Sequence, residues 1–119
     1  MAFKLNHVHL KTPDPQKTAN WYVDNLGAKI VPGSGPDSVR LDLHGLQLNV
    51  TRFIEHQTRR QFYGMEHLAI DTDDLDNVVE KLKASGASMM EEATLPGGRR
   101  VFFFEGPDGV QLEVLETVK

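Results

Sequence analysis

Apolar positions recur along the chain with two periods, and the periods follow one another in the same order twice. Val8 and Leu10 alternate with polar neighbours, the period-two signature of a strand with one packed face. Ala19, Tyr22, Val23 and Leu26 then fall at i, i+3, i+4 and i+7, which predicts an amphipathic helix. The alternation returns at Leu68 and Ile70, and the helical spacing returns at Leu75, Val78, Val79 and Leu82. Three short strands are expected after each helix: about 28–32, 38–43 and 46–51 in the first half, and about 87–92, 100–105 and 110–116 in the second. Clusters of Gly and Pro at 32–36, 96–98 and 106–109 supply turns.

The pattern is a repeat in residues as well as in periods. NHVHLKTPDPQKTANWYVDNLG at 6–27 and EHLAIDTDDLDNVVEKLKASG at 66–86 share one plan: His7 or His67, then Thr12 or Thr72, an acidic N-cap at Asp14 or Asp74, and a helix closed by Gly27 or Gly86. Pro15 sits at the first helical position, where a missing N–H costs nothing. The expected fold is α+β: two β-α-β-β-β modules forming a curled mixed sheet around a cleft opposite the helices. The chain is expected to be a single domain over 1–119, with module one at about 3–51, a linker at 52–63 and module two at about 64–117.

Composition narrows the chemistry. The 119 residues suffice for one modest core but not for two independent domains. A net charge of −4 without blocks of like charge argues against nucleic acid or an anionic membrane as partner, and leaves small molecules. The absence of cysteine removes disulfides, thiolate metal sites and thiol nucleophiles. No basic-then-apolar leader opens the chain and no stretch of 18 apolar residues occurs, so a cytoplasmic protein is expected.

Strand alternation sorts the polar residues by face. If Val8 and Leu10 pack beneath a helix, then His7, His9 and Lys11 turn to the opposite face. The same logic sets His67, Ala69 and Asp71 opposite Leu68 and Ile70, and Gln47, Asn49 and Thr51 opposite Leu46, Leu48 and Val50. It sets Gln111 and Glu113 opposite Val110, Leu112 and Val114. Arg40 alternates with Val39 and Leu41 and is the arginine best placed to pair with a substrate carboxylate. Trp21, Tyr22 and the run Phe102–Phe104 read as core or dimer contacts rather than a stacking platform.

The segments NHVHL, MEHLAI and GPDGVQLEVLE resemble the three ligand-bearing strands of the vicinal oxygen chelate superfamily, which includes glyoxalase I, methylmalonyl-CoA epimerase, extradiol dioxygenases, fosfomycin resistance enzymes and bleomycin-binding proteins. The resemblance covers nearly the whole chain, and the PDG turn with a Glu four residues after Gly109 is its most specific part. It implies metal ligands at His7, His67 and Glu113, with Glu113 also the candidate catalytic base, and one divalent ion per site from among Fe, Mn, Ni, Co and Zn. A fourth ligand position falls on Asn49, or on Gln47 if the register shifts by two. His9, Arg40, Gln47 and Asn49 are the substrate-binding candidates. The activity implied is a glyoxalase-type isomerase or lyase moving a proton on a small chelating substrate. The alternatives are an Fe(II) ring-cleaving dioxygenase and a drug-sequestering binding protein, and a homodimer is expected. Phe103 stands where ring-cleaving relatives place a tyrosine, and the chain ends at Lys119, before the basic segment of the fosfomycin enzymes.

Overall fold

Two helices and eight strands appear in the order the repeat demands, in a computed structural model that describes residues 2–118. The first half runs β1 (Phe3–Lys11), α1 (Pro15–Leu26), β2 (Lys29–Ile30), β3 (Ser38–Leu43) and β4 (Leu46–Thr51). The second runs β5 (Gly64–Thr72), α2 (Leu75–Ala84), β6 (Ser88–Thr94), β7 (Arg100–Glu105) and β8 (Gln111–Glu116). The α+β expectation and both β-α-β-β-β modules therefore hold.

The chain forms two compact units, and their limits fall inside strands. One unit comprises residues 7–66, and the other joins residues up to 6 with those from 67 onward. His7 and His67 are thus each the first residue after the chain passes from one unit to the other.

In the 7–66 unit the strand order is β2-β3-β4-β1. β3 and β4 form an antiparallel hairpin, while β1 lies parallel to β4 with His9 beside Asn49 and Leu10 beside Val50. A parallel neighbour cannot be reached by a tight turn, and α1 with β2 and β3 provides the crossover. α1 packs on β3 and β4, where Ala19, Val39, Leu41, Leu48 and Val50 are buried. Its stripe is less covered than the periodicity predicts, since Leu26 at the last turn is exposed. Asp14 caps the helix start by accepting from the Lys17 amide at 3.1 Å. Gly27 ends it at φ 72, a left-handed conformation that glycine adopts without a Cβ penalty. The linker 52–63 contains no helix or strand. Gln61 holds it closed by accepting from the Ile54 amide at 2.6 Å and donating to the Ile54 carbonyl at 2.9 Å.

In the other unit the order is β5-β8-β7-β6, again with one parallel pair, β5 with β8, and antiparallel pairs beyond it. α2 lays Leu75, Val78 and Val79 on Phe102, Phe104 and Val114, with Ile70, Leu82 and Ala87 around them. The opposite face carries a second cluster, Ala69, Val101, Phe103 and Leu115, with Met90 and Leu95 against it. The phenylalanine run is thus core on both faces of β7, as expected. Val110, expected to pack against the helix layer, precedes β8 and is exposed, because the PDG turn carries it past the strand end.

Phe104 has no exposed surface and lies within the α2 cluster. Phe104→Ala should lower unfolding free energy by about 3–5 kcal/mol, read as a fall in the urea midpoint at unchanged slope.

Candidate metal centre

His67 and Glu113 come together through the parallel register of β5 and β8, which sets His67 beside Gln111 and Ala69 beside Glu113. Two residues beyond Gln111 on β8, and so on the same face, Glu113 places Oε1 3.1 Å from His67 Nε2. Both groups are buried, His67 at 3% exposure and Glu113 at 7%. Phe103, opposite Glu113 on β7, presents its ring edge-on to the His67 imidazole at 5.3 Å between centroids. A carboxylate and an imidazole therefore share a contact over the apolar cluster of Ala69, Val101, Phe103 and Leu115. Loss of water there strengthens every charge interaction the pair makes.

In the 7–66 unit two imidazoles are buried. His7 and His9 share a face of β1, with ring centroids 5.8 Å apart. His9 Nε2 lies 2.8 Å from the Thr51 hydroxyl, and that hydroxyl donates onward to the Arg52 carbonyl at 2.9 Å. Beside His9, Asn49 Oδ1 accepts from Gln47 Nε2 at 2.9 Å, so these two candidates are engaged with each other. Arg40 is next to Asn49 in the β3–β4 register, but its exposed side chain turns away to the Pro32 carbonyl at 3.3 Å.

Sequence reasoning missed a buried charge cluster at the end of β1. Lys11 Nζ donates to Gln57 Oε1 at 2.9 Å and to Gln61 Oε1 at 2.6 Å, and lies 3.7 Å from Glu66 Oε2. Glu66 also accepts from Arg59 Nη2 at 3.0 Å and from the Phe62 amide at 3.3 Å. The repeat carried a usable signal: it aligns Asn6 with Glu66 and Lys11 with Asp71, and Asn6 donates to Asp71 at 3.0 Å in the other unit. Each strand's opening polar residue thus meets the residue four places past the other histidine. Glu66→Gln removes the carboxylate that both buried cations use, and should destabilise the fold by about 3–5 kcal/mol in urea unfolding.

The donor chemistry fits a divalent ion of borderline softness. Neutral imidazoles and one carboxylate suit Mn, Fe(II), Co, Ni or Zn better than Ca or Mg, which favour oxygen donors alone.

A family model described as "Glyoxalase/Bleomycin resistance protein/Dioxygenase superfamily" matches residues 4–114. The uncharacterized protein YwkD of Bacillus subtilis is 30% identical over 125 residues, covering 94% of this chain and 95% of YwkD. A lactoylglutathione lyase of Salmonella typhimurium is 25% identical over 127 residues, covering 96% of this chain and 93% of the lyase. Among solved structures, a methylmalonyl-CoA epimerase from Mycobacterium tuberculosis superposes with a TM-score of 0.73 at 21% identity, covering 97% of this chain and 88% of the epimerase.

Proposed function

Because the chain belongs to the glyoxalase/bleomycin resistance protein/dioxygenase superfamily, we propose that it is a divalent-metal-dependent isomerase or lyase that moves a proton beside a carbonyl of a small chelating substrate. The observation that carries this reading is the buried contact of Glu113 with His67 at 3.1 Å. His7, His67 and Glu113 would hold the ion. Each of these three side chains is buried within its own unit, as a ligand kept from water would be. A bound divalent ion supplies Lewis acidity toward the substrate oxygens.

The chain's own residues do the rest. Glu113 is the base: its carboxylate takes the proton from the carbon next to the carbonyl, and the electron pair left behind spreads onto the carbonyl oxygen. The same carboxyl then returns the proton, to the same carbon in an epimerisation or to its neighbour in an isomerisation. His67 keeps Glu113 oriented, and the Phe103 ring with the apolar residues around it keeps competing water away. Phe103 has no hydroxyl to offer a catechol, which weighs against the ring-cleaving alternative.

The reading is tested by offering S-lactoylglutathione and methylmalonyl-CoA to the metal-loaded protein in deuterium oxide. Deuterium entering the α-position of either, only with metal present, is the expected result. Tight binding of such compounds by chelator-treated protein, with no exchange under any metal, would instead favour a sequestering protein.

A further inference from the structure

Two arginines adjacent in sequence at the start of β7 differ in what they meet. Arg100 is satisfied by carboxylates: it donates through Nη1 to Asp76 at 2.9 Å and through Nη2 to Glu116 at 3.0 Å. Arg99, partly buried, meets no carboxylate among the described residues. Its side chain lines a cavity of about 630 Å³ between the β6–β7 turn and the end of β8. Glu116 is the one carboxylate on that wall, and both its oxygens already accept from Arg100, Oε1 from the amide at 2.9 Å and Oε2 from Nη2. The cavity therefore keeps the positive charge of Arg99.

Backbone bonds hold both walls. The Leu95 amide donates to the Arg99 carbonyl at 2.7 Å and the Gly98 amide to the Leu95 carbonyl at 2.9 Å, which closes the turn. On the other side the Thr117 amide donates to the Thr72 carbonyl at 3.0 Å. Leu95 is fixed further by packing on the cluster of Ala69, Val101, Phe103 and Leu115. A Cβ on Gly97 or Gly98 would meet nothing within 4 Å, so the turn does not fill the space it borders. Walls set before a ligand arrives cost little ordering on binding, and the volume is one that small-molecule sites use.

We propose that this cavity binds a small organic anion, with a carboxylate head on the Arg99 guanidinium and an apolar body against Leu95, Pro96 and Val118. A guanidinium offers a carboxylate two parallel N–H donors, which sets the direction of the head. An ion pair open to water contributes little by itself, so the apolar body supplies most of the affinity and the head supplies the choice among ligands. The Thr117 hydroxyl on the same wall is a further donor for the head. The site lies wholly within one unit, and it stands or falls independently of the metal and of the proton transfer proposed above.

Phenylpropionate is the probe, with phenylpropanol as its uncharged match. Titrated into isotope-labelled protein, the acid should shift the amide resonances of Gly97, Gly98 and Thr117 saturably, with an affinity of about millimolar. It should bind about tenfold more tightly than the alcohol. Arg99→Gln should erase that preference and leave the affinity for the alcohol unchanged. Thr117→Trp, a substitution at an exposed position, should fill the cavity and block both compounds. Absence of saturable shifts at those amides in the unsubstituted protein, or a preference for the acid that survives Arg99→Gln, would overturn the proposal. So would acetate binding as tightly as phenylpropionate, since the apolar walls would then contribute nothing. The titration of the unsubstituted protein needs no variant to fold.

Discussion

His67→Ala should leave a folded protein that loses its divalent ion on gel filtration, with affinity reduced at least about a thousandfold, ~4 kcal/mol. Two effects act together. The substitution deletes a nitrogen donor, and it strips Glu113 of the imidazole that lies 3.1 Å from its carboxylate. A carboxylate at 7% exposure above an apolar cluster loses with that imidazole the neighbour that orients it toward an ion. One substitution therefore weakens two ligands, and the loss should exceed that of His7→Ala. The check is metal content by atomic emission beside a circular dichroism melt. Retention of a full equivalent of metal by folded His67→Ala would refute the proposed centre.

Glu113→Gln separates binding from proton transfer. The amide keeps the size of the side chain and an oxygen near His67, so the fold and part of the metal affinity should survive. It has no basic oxygen to take a proton, so α-deuterium exchange at saturating metal and substrate should fall by about a thousandfold or more. The comparison must be made at full metal occupancy, measured in the same sample. If kcat then fell no more than a few-fold, Glu113 would be a ligand only and the base would be another group.

Much of this architecture is written in the order of residue types, for identifiable reasons. Strand β4 spans Leu46–Thr51 and β7 spans Arg100–Glu105, the ranges expected from alternation and flanking turn residues. Those cues are local, and backbone geometry converts them directly into structure. Alternation put His67 and Glu113 each on the polar face of its strand, but that the two belong together was implied only by the family resemblance, since parity does not say that β5 and β8 adjoin. The Lys11–Glu66–Arg59 cluster was not legible, because Arg59, Gln57 and Gln61 come from a connection without period, and nothing periodic says which way such side chains turn. Arg40 marks the limit of parity. Its strand register puts it beside Asn49, but a long flexible side chain is free to leave its row, and the carbonyl at Pro32 draws it away. His9 shows a further limit: its face could be read from alternation, but its contact with the Thr51 hydroxyl depends on a pairing with β4 that alternation alone does not give.

The passage of the chain between compact units immediately before each histidine bears on how such a protein can be taken apart. Severing the backbone in the segment around residue 58 would not yield two self-sufficient pieces. The N-terminal fragment would lack Glu66, which its Lys11 uses, and the C-terminal fragment would lack Asn6, which its Asp71 uses. Each piece carries the opening of a strand that the other needs. The fragments should be unstructured when made separately and should recover the native circular dichroism spectrum only when mixed, so a duplicated half-sized ancestor of this design would have had to work as a pair.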